Sequence, residues 1–495
     1  MIPRLSQATL HALPPDVERP GYDRGALATG VVHLGVGAFH RAHQAVVFDD
    51  LARAGDLRWG VRAASLRAPD VRDRMTPQDG LYTLLVRDGR TEPARVVGAI
   101  RDVLVAPEEP SALVEALAAA DTRLVTLTVT EKGYKLDTVS GELLDHDPDV
   151  AADLVGLSAP RTVPGFLAAA LALRRERGLK PFTAISCDNL SHNGRRLQAA
   201  VLAVAARRDP RLRDWIEAEG AFPETMVDRI VPATTPDDLE SLADRLGVLD
   251  CAMVKAEPFL QWVVEDRFAG ERPELEAVGV QLTASVAPWE AAKLRLLNGA
   301  HSAMAYLGGL QGLAFVHEVV ATPQGRGLVE RLWQEQVPTL VSPRGLDIPD
   351  YCNRLMARFG NAALQHRTGQ IAVDGSQKLP PRLVTPILER AARGQSFEAL
   401  ALAVAGWMRW QGGRDDLGAP FPVDDPLAAA TASAWASAPD AAGRVAALVS
   451  IQAIFPPEFA ARGDVRAVLT RWLDMLDRRG ASAAVEALVE APRRE

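Results

Sequence analysis

The sequence has few cysteines, no long apolar run and no excess of positive charge, and each absence removes a class of protein. Cys187, Cys251 and Cys352 are widely spaced and form no CxxC pair, which excludes a disulfide framework and a thiolate zinc site. No stretch approaches the roughly 18 uncharged apolar residues that a membrane-spanning helix needs, and the N-terminal segment lacks the apolar core of a signal peptide. We therefore expect no membrane partner and a cytoplasmic location.

The charge balance argues against nucleic-acid binding. Lys and Arg total 55 against 63 for Asp and Glu, giving a formal net charge of -8. Proteins that bind a phosphate backbone concentrate positive charge on one face, so we expect no nucleic-acid partner. The 495 residues exceed what one hydrophobic core usually serves, and this predicts two domains.

The pattern of apolar residues changes near residue 288. Before it, short β-branched runs alternate with helical stretches, as in an α/β Rossmann-type domain with a parallel-sheet core. After it, apolar residues recur at helical spacing, which predicts a mostly α-helical domain. We expect domains at 1–287 and 288–495. Predicted strands are 30–35, 60–66, 124–130, 182–187 and 227–231, and predicted helices are 41–54, 111–120, 163–178, 194–207, 291–309, 324–336, 381–393, 397–411, 440–453 and 464–489.

The segment VVHLGVGAFHRAH has the context of a dinucleotide-binding turn. Gly35 and Gly37 follow an apolar strand and precede a helical stretch, so backbone N–H groups of Gly35, Val36, Gly37, Ala38 and Phe39 are candidates for binding a pyrophosphate. His40 occupies the place of the third glycine of the usual motif. Taken alone, the glycine pair fits an ordinary tight turn equally well.

Asp70 is the candidate ribose ligand because it follows the next predicted strand. A carboxylate there accepts hydrogen bonds from the adenosine ribose and repels a 2′-phosphate, which favours NAD over NADP. Arg62 and Arg67 lie close by and weaken that preference, and Asp70 also fits a surface loop.

Polar residues also cluster where three predicted strands end, in the segments TVTEKGY, SCDNLSHNG and MVDRIVPATT. Ligands bind at the carboxyl ends of strands in open α/β sheets. Asn189, in the second segment, is therefore a candidate site residue, although an Asn can also simply end a strand or begin a turn.

The segment PWEAAKLRLLNGAHSAMAYLG carries the sharpest chemical pattern. On a regular helix, Lys293 and His301 lie about 80° apart and Asn298 about 60° beyond, with Glu290 about 60° to the other side of Lys293. Oxidising a carbinol needs a base that works near neutral pH, and a lysine serves if burial lowers its pKa.

Each of the other polar groups has a place in that chemistry. Asn189 and Asn298 are suited to stabilising an alkoxide, His301 to orienting the hydroxyl and Glu290 to passing the proton to water. The alternative is a surface Lys, a helix-interior Asn and a core His. Gly299 inside the helix argues against that alternative, because a close approach by cofactor or substrate would explain it.

With these residues in hand, the chain resembles the polyol-specific long-chain dehydrogenases, the mannitol dehydrogenase family. The resemblance runs in order through GVVHLGVGAFHRAHQA, TLTVTEKGY, SCDNLSHNG, MVDRIVPATT, EPFLQWVVED, KLRLLNGAHSAMAYLG and HRTGQIAVDGSQKLP. It implies a Rossmann-type N-terminal domain, a helical C-terminal domain, an active site between them and metal-independent catalysis with NAD. It also implies a base at Lys293, oxyanion donors at Asn189 and Asn298, and substrate contacts at Val227, Asp228, His301 and Lys378.

Within that family the C-terminal motif looks more like the fructuronate reductases, which interconvert D-mannonate and D-fructuronate, than the mannitol 2-dehydrogenases. Gln370 stands where mannitol 2-dehydrogenases carry an Arg, and Arg367 precedes it by three residues. A substrate carboxylate suits a bidentate guanidinium, so Arg367, with His366 and Lys378 nearby, is the candidate clamp. Alternatively, Arg367 pairs with Asp374.

Three other functions remain open at this point. The first is an oxidoreductase for mannitol, arabinitol or a related polyol. The second is a zinc enzyme. It is suggested by the histidines His33, His40, His43 and His192, although no acidic ligand completes a set. A non-catalytic nucleotide sensor would keep the fold without the chemistry. For any enzyme of this type we expect a small sugar acid or polyol as partner, and a monomer or weak homo-oligomer.

Overall fold

A computed structural model describes residues 2–89, 91–137 and 140–492. By its internal contacts the chain divides into two compact units, Met1–Val286 and Ala287–Glu495. The first unit contains the strands and the second is helical, as the change in sequence pattern predicts.

A five-stranded parallel sheet forms the centre of the first unit, in the order β5-β2-β1-β6-β7. The strands of the unit are β1 (Val31–Leu34), β2 (Val61–Ser65), β3 (Tyr82–Val86), β4 (Ala94–Val97), β5 (Ile100–Val105), β6 (Leu124–Leu127), β7 (Thr183–Ser186), β8 (Thr225–Asp228), β9 (Val254–Ala256), β10 (Gln261–Glu265) and β11 (Gln281–Thr283). The order places β1 at the centre, where the direction of chain progression reverses. Ligands of open α/β sheets bind at that point.

Both faces of this sheet are covered, which explains why most residues of its strands are apolar. In β1, Val31 packs into one core, and Val32 and Leu34 pack into the core on the opposite face. Successive side chains of a strand point to opposite faces, so a strand covered on both sides is buried at every position and favours apolar residues. The predicted α/β class with a parallel-sheet core is confirmed.

Two smaller sheets, of order β11-β10-β8 and β4-β3-β9, complete the first unit. β8 covers part of the predicted strand 227–231, but it runs antiparallel to β10 and lies outside the central sheet. Its short apolar run looks the same in either setting, because a strand's own residues do not specify its partner.

The helices of the first unit begin at recognisable caps. The Thr235 hydroxyl and the Asp238 carboxylate form a capping box at the start of α9, and the Thr162 hydroxyl accepts from Gly165 N–H at the start of α6. The helices are α1 (Ala38–Ala42), α2 (Gln44–Arg53), α3 (Asp70–Met75), α4 (Pro110–Ala118), α5 (Pro148–Val155), α6 (Val163–Glu176), α7 (Asn193–Arg208), α8 (Pro210–Glu219) and α9 (Pro236–Leu246).

The second unit is built around α18, which packs against α11 and α22. Its helices are α10 (Ala287–Ala292), α11 (Ala300–Leu310), α12 (Val316–Ala321), α13 (Pro323–Gln336), α14 (Ile348–Phe359), α15 (Thr368–Ala372), α16 (Gly375–Leu379), α17 (Thr385–Ala392), α18 (Glu398–Trp410), α19 (Ala428–Ala436), α20 (Ala441–Val449), α21 (Pro457–Ala461) and α22 (Gly463–Glu490). Every residue of α18 from Ala399 to Met408 is buried, so this helix is apolar around its circumference.

Two π-helical turns interrupt this unit, at Lys293–Gly299 and at Pro380–Val384, and they pack against each other. The prediction of a regular helix over 291–309 is therefore wrong between residues 293 and 299. The predicted helix 464–489 is kinked at Gly480, whose φ is +79°. Within the described ranges, no helix combines the length and apolar character needed to cross a membrane.

Candidate functional site

The turn after β1 requires glycine at residue 35. Gly35 has a φ of +96°, and a Cβ there would lie 2.1 Å from the Thr128 carbonyl oxygen. The Gly35 carbonyl accepts hydrogen bonds from the Thr128 hydroxyl at 2.7 Å and from the Gly37 N–H at 2.7 Å. The turn is therefore packed against the end of β6, and any side chain at residue 35 would separate the two.

Gly37 presents an open backbone face at the beginning of α1. A Cβ there would meet nothing nearer than the Gly35 carbonyl oxygen, at 3.9 Å. Val36 is buried beneath the turn, whereas Gly37 is exposed and Ala38 and Phe39 are half-buried. The Gly35 and Gly37 N–H groups already donate to the Ala64 and Gly35 carbonyl oxygens, but the chain around Gly37 is open to solvent at the start of α1. This opening lies at the centre of the sheet edge, where Rossmann-type domains bind a dinucleotide pyrophosphate.

A pair of stacked histidines lies behind this turn. The rings of His33 and His40 are 3.3 Å apart between centroids and both are fully buried. His33 Nδ1 shares a hydrogen bond of 2.8 Å with the Thr126 hydroxyl, and Nε2 one of 3.0 Å with the Thr128 hydroxyl. Burial lowers the pKa of His33 to about 3 and that of His40 well below its usual value, so both rings are neutral. At the place of the usual third glycine, His40 packs on strand β1.

The four histidines of the zinc alternative have other contacts here. His43 Nε2 lies 2.9 Å from the Gln261 carbonyl oxygen, and His192 Nδ1 lies 3.2 Å from a Glu224 carboxylate oxygen. Among the residues that the structure describes, no group of three or more His, Cys, Asp or Glu side chains is placed to hold a metal ion.

The end of β2 carries the candidate ribose ligand. Asp70 is exposed and is the first residue of α3. Arg62, one of the two arginines that weakened the preference for NAD, forms a bidentate pair with Asp102 at 2.8 Å. Arg67 is exposed and lines a cavity of about 710 Å³ together with Val129 and Lys132, which follow β6. This cavity borders the carboxyl ends of β2 and β6, the side of the sheet on which Rossmann-type domains hold the adenosine.

Asp188 holds the strand-end segments together, and the sequence prediction missed it. Its Oδ1 accepts from the backbone N–H groups of Val129 at 2.9 Å and Thr130 at 2.8 Å, and its Oδ2 accepts from the Tyr134 hydroxyl at 2.8 Å. Thr130 has a φ of +66°, a costly conformation for a β-branched residue. Asp188 directly precedes the predicted Asn189. The signal in the sequence was a carboxylate next to a candidate site residue.

Asn193, in the second segment, links that segment to Thr225, which directly precedes the third. Its amide nitrogen donates to the carbonyl oxygens of Asp188 and Thr225 at 3.0 Å each, and its Oδ1 accepts from the Thr225 N–H at 3.0 Å. The three segments therefore meet as predicted, although β8 belongs to a different sheet. Asn189 is exposed, whereas Val227 and Asp228 at the end of β8 are buried.

In the second unit, Lys293 begins the first π-helical turn. Hydrogen bonds of a π-helix join residues five apart, so Lys293 and Asn298 lie above one another on the same side of the helix. Lys293 is only 6% exposed and His301 only 7% exposed, whereas Glu290 on α10 and Asn298 are half-buried. The spacing that we expected for a regular helix is corrected, and Lys293 and Asn298 become nearer neighbours.

Polar contacts from neighbouring segments stabilise this turn. The Trp333 indole N–H donates to the Leu296 carbonyl oxygen at 2.8 Å, and Arg295 forms a bidentate pair with Glu389 at 2.7 and 2.8 Å. A Cβ at Gly299 would lie 2.5 Å from the Gln336 amide nitrogen. Within this unit the approach of Gln336 accounts for this glycine, which we had attributed to a cofactor or substrate.

His301 lies in an aromatic and cationic surrounding. Its ring packs against Phe359, with centroids 5.0 Å apart, and against the edge of His366 at 4.8 Å. Burial, with the charges of Arg358 and Arg382 and its neighbour His366, lowers the pKa of His301 well below its usual value. His301 is therefore a neutral imidazole, in which one ring nitrogen donates a hydrogen bond and the other accepts one.

The two predicted cations of the C-terminal motif differ in setting. The Lys378 ammonium donates to the carbonyl oxygens of Val373 and Ile371, and burial lowers its pKa. Arg367 is exposed and lies over the Phe315 ring, 5.1 Å from the centroid. Within the described part of the chain it makes no ion pair, so the alternative pairing with Asp374 is absent there.

Comparison with known proteins identifies the class. Residues 29–277 match the model of the mannitol dehydrogenase Rossmann domain, and residues 285–476 match that of the mannitol dehydrogenase C-terminal domain. The chain is 43% identical to the D-mannonate oxidoreductase of Escherichia coli (strain K12), over 95% of this chain and 98% of that protein. It is 40% identical to a mannitol 2-dehydrogenase of Pyrenophora tritici-repentis, over 95% of this chain and 84% of that protein.

A solved structure agrees with this class. The Pseudomonas fluorescens mannitol 2-dehydrogenase, in a ternary complex with NAD and D-mannitol, matches with a TM-score of 0.83 and 38% identity, over 99% of this chain and 100% of that one. The protein is thus an oxidoreductase that acts on a CH–OH group. It belongs to the mannitol dehydrogenase family, so the predicted family is confirmed.

Proposed function

We propose that the protein interconverts D-mannonate and D-fructuronate with NAD, without a metal. The observation that carries this proposal is the 43% identity to the E. coli D-mannonate oxidoreductase over nearly the full length of both chains. The cationic surrounding of His301 supports it, because a sugar acid brings a carboxylate that neutral polyols lack.

For the cofactor, we propose that residues 35–39 bind the pyrophosphate and that Asp70 binds the adenosine ribose. The open face of Gly37 and the exposed position of Asp70 support these roles, and the P. fluorescens relative binds NAD. NAD supplies the hydride acceptor. We assign cofactor binding to residues 1–287 and most of the substrate chemistry to residues 288–495.

For the chemistry, we propose that Lys293 removes the proton of the substrate hydroxyl. Its burial gives it a setting with little water, as a lysine base needs. The amide N–H groups of Asn189 and Asn298 donate to the alkoxide oxygen, and the neutral His301 orients the hydroxyl. Glu290, one turn before Lys293, relays the proton to water.

For substrate binding, we propose contacts from Val227 and Asp228 at the end of β8 and from Lys378 on α16. A carboxylate on the substrate needs a cation in addition, and the second unit offers Arg367, Lys378 and Arg382. Lys378 already donates to two carbonyl oxygens, so the two arginines compete for that role.

A polyol dehydrogenase is the second candidate function. The identity to the P. tritici-repentis mannitol 2-dehydrogenase is 40%, close to that of the E. coli relative, so mannitol or arabinitol is the natural competing substrate. Both functions use the same base and the same oxyanion donors. They differ only in what the far end of the substrate presents.

A substrate comparison tests the proposal. Purified enzyme is assayed by NADH absorbance with D-mannonate, D-mannitol and D-arabinitol in oxidation, and with D-fructuronate and D-fructose in reduction, each with both nicotinamide cofactors. We expect the highest kcat/KM for the D-mannonate and D-fructuronate pair with NAD. Faster reduction of D-fructose than of D-fructuronate at equal concentration would contradict the proposal.

A further inference from the structure

Arg382 lies in the second π-helical turn, Pro380–Val384, directly against the turn that carries Lys293. One guanidinium nitrogen, Nη1, donates to the Ser302 hydroxyl at 3.1 Å and to the Asn298 carbonyl oxygen at 3.4 Å. The Gln336 amide donates to the Arg382 carbonyl oxygen at 3.3 Å. The side chain is therefore held beside the predicted oxyanion residue Asn298.

No carboxylate among the described residues forms an ion pair with Arg382. Arg295 is different in this respect. It lies in the first π-helical turn and forms a bidentate pair with Glu389. The Arg382 side chain is mostly withdrawn from water, and this burial lowers its pKa to about 10. A charge in such a place usually has a partner, because leaving it unpaired is costly.

The rest of the guanidinium is available for binding. An arginine has five N–H donors in a planar fork, and within the described chain the Nε and Nη2 groups of Arg382 have no hydrogen-bond acceptor. That edge of the guanidinium matches the two oxygens of a carboxylate. Neither nitrogen is completely enclosed by protein atoms, so this edge of the guanidinium keeps some exposure to solvent.

The position of Arg382 relates it to two predicted substrate contacts. Its charge lowers the pKa of both His301 and Lys378, so it lies near both side chains. The Arg367 guanidinium, in contrast, is exposed and lies over the Phe315 ring.

We infer that Arg382, rather than Arg367, binds the carboxylate of the sugar-acid substrate through its Nε and Nη2 groups and thereby determines specificity for acids over neutral polyols. This inference rests on the proposed function. A neutral polyol would leave the guanidinium edge without an anionic acceptor, and a site built for a charged group rejects the analogue that lacks it. The first π-helical turn would then bind the reacting carbinol, and the neighbouring second turn would bind the carboxylate.

The test compares D-mannonate with D-mannitol oxidation in wild type, Arg382→Met, Arg382→Lys and Arg367→Met. Arg326→Met, at an exposed position of α13, is the matched control. We expect Arg382→Met to lose about 100-fold in kcat/KM for D-mannonate, mainly through KM, and less than about fivefold for D-mannitol. Arg382→Lys keeps the charge without the fork and should lose about tenfold on D-mannonate only.

Several outcomes would overturn the inference. Equal losses on both substrates in Arg382→Met would make Arg382 a support for the π turn, and a selective loss on D-mannonate in Arg367→Met would return the role to Arg367. Failure of both Arg382 variants to fold, judged by circular dichroism melting, would assign it to stability. A wild type that prefers D-mannitol would instead contradict the proposed function, whatever the variants do.

Discussion

The Asp188 carboxylate accepts a hydrogen bond of 2.8 Å from the backbone N–H of Thr130 and so links the segment after β7 to the segment after β6. Thr130 has a positive φ, and the same carboxylate oxygen also binds the Val129 N–H. The backbone beside Asn189 is thus fixed by a residue that need not touch substrate.

Replacing Asp188 should therefore disturb both stability and turnover. Asp188→Ala leaves two backbone N–H groups and the Tyr134 hydroxyl without their acceptor, and we expect a loss of about 2 kcal/mol or more in the free energy of unfolding. Asp188→Asn keeps one acceptor oxygen, so its losses of unfolding free energy and of kcat should both be smaller. Urea denaturation and kcat measure the two effects, and an Asp188→Ala variant as stable and active as wild type would contradict this role.

Lys293→Ala should abolish most turnover without unfolding the protein. A positioned general base contributes about 100- to 10,000-fold, so kcat should fall within that range while NADH binding, followed by fluorescence, stays near the wild-type value. Lys180→Ala, at an exposed position, is the matched control and should remain active. Retained turnover in Lys293→Ala would rule out the proposed mechanism.

The two glycines of the nucleotide turn should respond differently to the same substitution. Gly35→Ala introduces a side chain at a φ of +96° and against the Thr128 carbonyl, so it should destabilise the fold by about 1–3 kcal/mol from backbone strain alone. Gly37→Ala meets no close neighbour and should fold normally but bind NADH more weakly. Thermal melts and NADH titrations separate the effects, and equal destabilisation by both variants would argue against this geometry.

The stacked histidines should make the protein sensitive to acid. The folded pKa of His33 is about 3, below its ordinary value of 6.5, so the unfolded chain binds more protons over that interval. Stability is then fully present above about pH 6.5 and is lost as the pH falls towards 3, by about 2 kcal/mol at pH 5 for His33 alone.

A histidine variant checks the predicted direction of this pH dependence. His33→Asn should lower the free energy of unfolding at pH 7 but reduce its slope between pH 6.5 and 5, measured by urea denaturation at each pH. His11→Asn, at an exposed position, should leave the slope unchanged. An unchanged slope in His33→Asn would show that His33 is not the titrating group.

Asp70 should govern the choice between nicotinamide cofactors. Removing its carboxylate leaves Arg67 and Lys132, which line the cavity at the ends of β2 and β6, so Asp70→Ala should raise the ratio of kcat/KM with NADP to that with NAD by about tenfold or more. Asp73→Ala, on the same helix but paired with Arg72, is the control. An unchanged ratio in Asp70→Ala would place the ribose elsewhere.

The parts of the fold that the sequence predicted are those that local patterns determine. β1, β6 and β7 are buried at every position because both faces of the sheet are covered, and the short apolar runs that result show in each strand separately. The partner of β8 lies more than thirty residues away in β10, so no local pattern could assign it to a second sheet.

The residue types of the candidate site come from the sequence, whereas part of its geometry does not. The choice of Lys293, Asn298 and His301 follows from the chemistry, but the π-helical turn is contacted by Trp333 and Arg382, which come far later in the chain. The sequence selected Arg367 as the candidate clamp, and only the fold shows that Arg382 is the more buried of the two arginines.

The π-helical turn at Lys293–Gly299 also limits insertions and deletions in this part of the chain. A π turn accommodates one residue more than an α turn, so deleting a single residue there would let the helix relax to regular geometry. Residues after the deletion would keep their packing in α11 only if Lys293 rotated by about 100° about the helix axis. The length of this stretch is therefore constrained in addition to the identities of Lys293 and Gly299.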